Sequence, residues 1–186
     1  SVWSLARGPE GLYAGVEPAG LFYSHDDGQT WQHVGGLRAH PSRPQWQAGG
    51  GLILHSLLPH PQDPQQIWVG ISAAGVFYTE DGGVNWTPRN RGTRADFLPE
   101  GQNYPEFGQC VHCIVQAAGN PERLYQQNHC GMYRSDNGGL EWQSIEEGLP
   151  SSFGFPAAAD PRDPDTLYLI PLNGDIAGRF MPEGRT

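Results

Sequence analysis

Apolar residues in this chain come in short runs, each cut off by turn-forming residues. Leu12-Tyr13-Ala14-Gly15-Val16 is soon followed by Leu21-Phe22-Tyr23, and the same rhythm runs on through Ile67-Trp68-Val69, Val76-Phe77-Tyr78 and Leu167-Tyr168-Leu169-Ile170. No run keeps helical spacing for a useful length, and the residue types are strand formers. One stretch is repeated: Gly20-Leu21-Phe22-Tyr23-Ser24-His25-Asp26-Asp27-Gly28-Gln29-Thr30-Trp31 returns from Gly75 to Trp86 and from Gly131 to Trp142. Each copy has a leading Gly, strand formers, Ser/Thr-x-Asp/Asn-x-Gly, and Trp three residues on. The positions that carry the repeated pattern are Ser24, Asp26, Gly28 and Trp31; Thr79, Asp81, Gly83 and Trp86; and Ser135, Asn137, Gly139 and Trp142. Short hydroxyl and carboxylate side chains bond nearby backbone N–H groups and Gly takes positive φ, so each copy predicts a β-hairpin with a side-chain-stapled turn. Recurrence at one place in several hairpins marks these carboxylates as structural, because a catalytic pair need not repeat.

These stretches closely resemble the Asp-box, or BNR, repeat of the sialidase-like and sortilin-like superfamily. That repeat occurs in sialidases, sortilin-type receptors, some glycoside hydrolases and assembly factors of photosynthetic complexes. The resemblance implies an all-β fold, a β-propeller of four-stranded antiparallel blades, in a bacterial-type glycosyl hydrolase BNR-repeat protein. It also implies that each box sits on the rim, at the turn between the third and fourth strands and away from the ligand site. The third box carries Asn137 where the others carry Asp26 and Asp81; Asn still accepts a turn hydrogen bond, so that hairpin is expected to survive. The Phe/Tyr-Arg-Ile-Pro motif of sialidases is absent, which argues against a typical sialidase.

A second marker recurs: Pro9, Pro64, Pro121 and Pro164 each stand three residues before the apolar start of a strand. Together the markers predict blades at about 1–37, 51–91 and 110–149 and a partial fourth at 153–186, about three and a half in all, with inserted loops at 35–51 and 90–109. The aromatics Trp46, Phe97, Tyr104 and Phe107 in those loops predict ordered, packed insertions. A closed ring needs at least four blades. A partial ring therefore calls for a homodimer or for the missing half of a longer propeller.

The chain has 186 residues with net charge −9, 26 Gly and 17 Pro; all 11 basic residues are Arg. An acidic chain without a basic run argues against nucleic acid and membrane partners, and the lack of Lys excludes Schiff-base chemistry in this chain. An odd count of 3 Cys, with no leader visible at Ser1, favours a reducing, cytoplasmic setting.

In a propeller the loops before the innermost strand and after the second strand share one mouth. This predicts a mouth built from His55 and His112, from Glu17, Ser72, Gln127, Asn128 and His129, and from Arg38, His40, Arg43, Trp46, Asn103, Tyr104, Glu106 and Gln109 of the inserted loops. Of these, Arg38, His40, Trp46, Tyr104, Gln127 and Asn128 are expected to bind a ligand; Glu17, Glu106, His55, His112 and His129 are the catalytic candidates. Three readings stay open. The first is a scaffold binding a small molecule, glycan or peptide. The second is a glycoside hydrolase-like enzyme drawing two carboxylates from Glu17, Asp96, Glu100 and Glu106. The third is a metal-dependent enzyme using His55, His112 and His129 with Cys110. Strand alternation turns Cys113 away from Cys110 and His112, so Cys110-Val111-His112-Cys113 does not make a four-ligand site, and no metal or other cofactor is assigned.

Overall fold

A computed structural model describes residues 1–46, 51–174 and 179–182. Residues 47–50 of the first inserted loop, and 175–178 and 183–186 of the fourth unit, lie outside the described residues. The described chain is all-β, with one 3-10 turn at Arg43–Gln45. Blade one is β1 (Val2–Arg7), β2 (Leu12–Val16), β3 (Gly20–Ser24) and β4 (Gln32–Val34). Blade two is β5 (Leu54–Pro59), β6 (Ile67–Ile71), β7 (Gly75–Thr79) and β8 (Thr87–Pro88). Blade three is β9 (Val111–Ala117), β10 (Asn120–Asn128), β11 (Gly131–Ser135) and β12 (Gln143–Ser144). Each is a four-stranded antiparallel meander in chain order. A fourth unit contributes the hairpin β13 (Phe153–Ala159) and β14 (Leu167–Leu172). The chain is a partial propeller.

The boxes form the expected staples. In box two the Thr79 hydroxyl donates to Asp81 Oδ1 (2.8 Å) and accepts the Gly83 N–H (3.0 Å), while Asp81 accepts the N–H groups of Val84 (3.0 Å) and Asn85 (2.9 Å). Box three repeats this with an amide: Asn137 Oδ1 accepts from the Ser135 hydroxyl (2.9 Å) and the Glu141 N–H (3.0 Å). Two consecutive left-handed residues turn each hairpin: Asp27-Gly28, Gly82-Gly83 and Gly138-Gly139.

The apolar cores lie between blades. Tyr13 and Leu21 meet Leu54, Ile67, Val69, Phe77 and Trp86 between blades one and two. Trp68, Val76 and Tyr78 meet Val111, Ile114, Tyr133 and Trp142 between blades two and three. Boxes two and three dock on the exit of the preceding blade's last strand: at box three, Trp142 Nε1 donates to the Arg89 carbonyl (2.8 Å), and the Trp142 N–H to the Arg91 carbonyl (2.9 Å). Close approach sets the residue type on that ledge. A Cβ at Gly36 would lie 2.2 Å from the Gly83 and Val84 carbonyl oxygens. At the corresponding place in blade three, a Cβ added at Gly148 would meet nothing within 4 Å, and among the described residues no box follows it.

Candidate functional site

The innermost strands carry a repeated feature that the apolar pattern alone did not disclose. Pairing of β1 with β2 skips between Val2 and Ser4; pairing of β5 with β6 skips between Leu54 and Ser56; pairing of β9 with β10 skips at Val111 and Cys113. The extra residue is Trp3, His55 and His112 in turn, so each innermost strand has a one-residue bulge near its start. A bulge re-aims the unpaired side chain. Here it lines up a row of rings across the blades: Trp3 to His55 at 5.6 Å between centroids, His55 to His112 at 5.6 Å, and His112 stacked on Phe155 at 4.4 Å. The residue after each bulge clamps the next blade. Ser4 Oγ donates to the Leu54 carbonyl (2.8 Å), Ser56 Oγ accepts the Ile114 N–H (2.9 Å), and Cys113 Sγ donates to the Ala157 carbonyl (3.6 Å).

Two further positions join the bulge residue in each blade. The residue after the second strand gives its N–H to the carbonyl just before the first strand: Glu17 to Ser1 (2.9 Å), Ser72 to Ile53 (2.9 Å) and His129 to Cys110 (2.8 Å). The same three positions therefore recur in each blade: Ser1, Trp3 and Glu17; Ile53, His55 and Ser72; Cys110, His112 and His129. In blade one they meet directly, Trp3 Nε1 donating to Ser1 Oγ (3.0 Å) and Glu17 Oε2 (3.1 Å). In blade three Cys110 Sγ lies 3.4 Å from His112 Nε2, and the ligand atoms of Cys110, His112 and His129 all fall within 4.8 Å of one another.

The surroundings set the protonation of this group. His112 is buried, and burial pushes its pKa down to about 4. Its Nδ1 lies 2.6 Å from the Gly154 carbonyl, an acceptor only, so Nδ1 carries the proton and Nε2 the lone pair. Burial raises the Cys110 thiol to about 11 and lowers His55, opposed there by the Glu17 charge. Phe153 packs edge-on against His112 and His129, Phe97 against His129, and the Arg179 guanidinium lies over Phe155 at 4.7 Å.

The other expected mouth residues go elsewhere. Trp46 is buried, its indole N–H bound to Ser42 Oγ (2.9 Å), and it packs with His40 and Phe77 in the core between blades one and two. Gln127 and Asn128 are buried at the end of β10. Gln127 Nε2 donates to the Gly131 and Ser152 carbonyls, and Asn128 Oδ1 accepts the Cys130 N–H (3.5 Å). Tyr104 and Glu106 line an open cleft of about 410 Å³ with Thr87, Arg89, Asn90 and Leu140, beside the last strand of blade two rather than on the ring row. Arg38 is exposed and touches neither. Of the carboxylates, Glu17 joins the row at Trp3, Asp96 pairs with Arg94 (3.4 Å), and Glu106 stays in the cleft. Missed by the sequence reading was Trp3. The recurrence Val2-Trp3-Ser4-Leu5, Leu54-His55-Ser56-Leu57 and Val111-His112-Cys113-Ile114 was the pattern that could have found it.

Comparisons with known proteins agree with this architecture. The BNR/Asp-box repeat family matches residues 22–33. A probable oligoxyloglucan-reducing end-specific xyloglucanase of Neosartorya fischeri is 29% identical over 106 residues, which is 56% of this chain and 12% of that protein. Among solved structures, an ancestral GH74 enzyme superposes with a TM-score of 0.68 at 19% identity, over 96% of this chain and 23% of that one. The GH74 enzyme of Niastella koreensis gives 0.63 at 20% identity, over 93% and 26%. The chain thus spans a small part of the relatives it matches, and the likeness to the two solved structures is one of fold.

Proposed function

We propose, from a chain that is a partial BNR/Asp-box β-propeller, that its mouth binds a glycan and that the ring row supplies the subsites. The observation that carries this is the bulge repeated in register, which sets Trp3, His55 and His112 side by side on the innermost strands, with Phe155 stacked on His112. Trp3 keeps 50% of its surface exposed, and Glu17 holds its indole edge, leaving a large apolar face with a polar rim. Sugar rings, apolar on their faces and polar at their edges, match that surface chemically. The similarity to a xyloglucanase makes a β-glucan backbone the first ligand to try. Binding is favoured over hydrolysis within this chain, since hydrolysis needs two carboxylates facing one bond. Here Glu17, Asp96 and Glu106 keep different neighbours.

The test is calorimetric titration of the chain with xyloglucan oligosaccharides. Saturable binding is expected, and Trp3→Ala should weaken it about tenfold, or roughly 1.4 kcal/mol, with the melting midpoint little changed because the ring is half exposed. Absence of binding at millimolar ligand, or equal affinity in the Trp3→Ala chain, overturns the proposal.

A further inference from the structure

The three-position cradle is the same in each blade, but its occupants differ, and only in blade three are all three potential metal donors. We propose that Cys110, His112 and His129 form a binding site for a single borderline-soft divalent cation such as Zn²⁺. One thiol and two imidazoles make a donor set suited to that ion, and three protein ligands leave one position for water. The convergence is a consequence of backbone design: the bulge aims residue 112, and the His129 N–H to Cys110 carbonyl bond fixes the two flanking residues beside it. Blade one shows the same three positions meeting through the Trp3 indole, so the geometry does not depend on histidine chemistry. Metal-binding imidazoles usually donate their other ring N–H to a carbonyl or carboxylate, which fixes the tautomer. His112 does this at 2.6 Å to Gly154, with its Nε2 turned toward Cys110 Sγ. Phe155 stacks on His112, while Phe97 and Phe153 pack against His129, so the donors stand between apolar walls. The ligand atoms, all within 4.8 Å of one another, need to close by only part of that distance to surround one ion. The remaining thiols are elsewhere engaged: Cys113 Sγ donates to the Ala157 carbonyl and Cys130 Sγ accepts the Asp96 N–H. The Cys110 proton leaves to solvent as the metal–sulfur bond forms, with no redox change.

The experiment uses the full chain, untagged, reduced and stripped with a chelator, titrated with Co²⁺ as a spectroscopic probe and then with Zn²⁺. One Co²⁺ per chain is expected, with an intense near-ultraviolet thiolate-to-cobalt band that Zn²⁺ displaces. Cys110→Ser should abolish that band, and His112→Ala should weaken binding by more than about 100-fold, beyond the loss usual for an outer-shell partner. Cys113→Ser should retain both band and affinity. Zn²⁺ should raise the melting midpoint of the parent chain and not of Cys110→Ser, with far-ultraviolet dichroism confirming that each variant is folded. No Co²⁺ bound to the parent chain overturns the proposal, as does binding that survives Cys110→Ser undiminished. Should the His112→Ala chain prove unfolded, the comparison of Cys110→Ser with Cys113→Ser decides alone.

Discussion

At the scale of single residues, the boxes show how much a short polar side chain can settle by itself. The hydrogen bonds from Asn85, backbone and side chain, together with those from Thr79 and Val84, hold the Asp81 carboxyl down to about 2. Asp26 is lowered likewise, first by its bonds from Thr30 and Ser24. The ordinary value for an unfolded Asp is about 3.9. A pKa depressed on folding gives stability that is complete above the unfolded value and is lost as pH falls through the folded one. The expectation is a melting midpoint that drops between about pH 4 and 2. In Asp81→Asn the drop should shrink, with little change at neutral pH once the Asn85 amide turns over to meet the new one. An unaltered acid transition in that variant would show that the staple is not its source. The precedent is inside the molecule, since Asn137 already makes the corresponding bonds from Ser135 and Glu141. This much was legible in the sequence, because every partner lies within a few residues of the carboxylate or amide.

At the scale of elements, blades are joined by backbone approach and by single clamping side chains, in addition to apolar packing. Gly36 is a clear case, with two carbonyl oxygens of the next blade's box where a Cβ would stand. Gly36→Ala should cost roughly 1–3 kcal/mol, the usual range for forcing atoms into a packed contact. Gly35→Ala next door, where nothing lies within 4 Å, should be nearly neutral. Equal melting midpoints for the two variants, measured by calorimetry, would show that the ledge does not bear on stability. The hairpins were legible, yet their docking was not. Which carbonyl meets Gly36 depends on residues about fifty positions away, and no local pattern encodes that distance.

At the scale of the whole molecule, the end blades present apolar faces. Val2 and Leu5 of β1 are 66% and 64% exposed, and Tyr168 and Ile170 of β14 are 57% and 50% exposed. The middle of the arc contrasts with this: every residue of β6 and β7 is buried. Stacked repeats bury their cores only against neighbours, and exposed apolar strands invite pairing. The 186-residue chain by itself is therefore expected to self-associate as concentration rises, by sedimentation velocity, and Leu5→Glu with Ile170→Glu should reverse this. A monodisperse monomer at high concentration would count against it.

The sequence by itself determined the hairpins, their staples and the all-β propeller class, because those follow from side chains acting on backbone a few residues away and from a repeat long enough to be seen. Only the tertiary structure decided which of the expected mouth residues share a place. A bulge exists through the register of two strands, and register decides where Trp3, His55 and His112 point. Trp46, Gln127 and Asn128 look equally available in the sequence. Burial took them because a core between blades fills with whatever large or bond-satisfied side chains reach it, and the chain order does not say which those are.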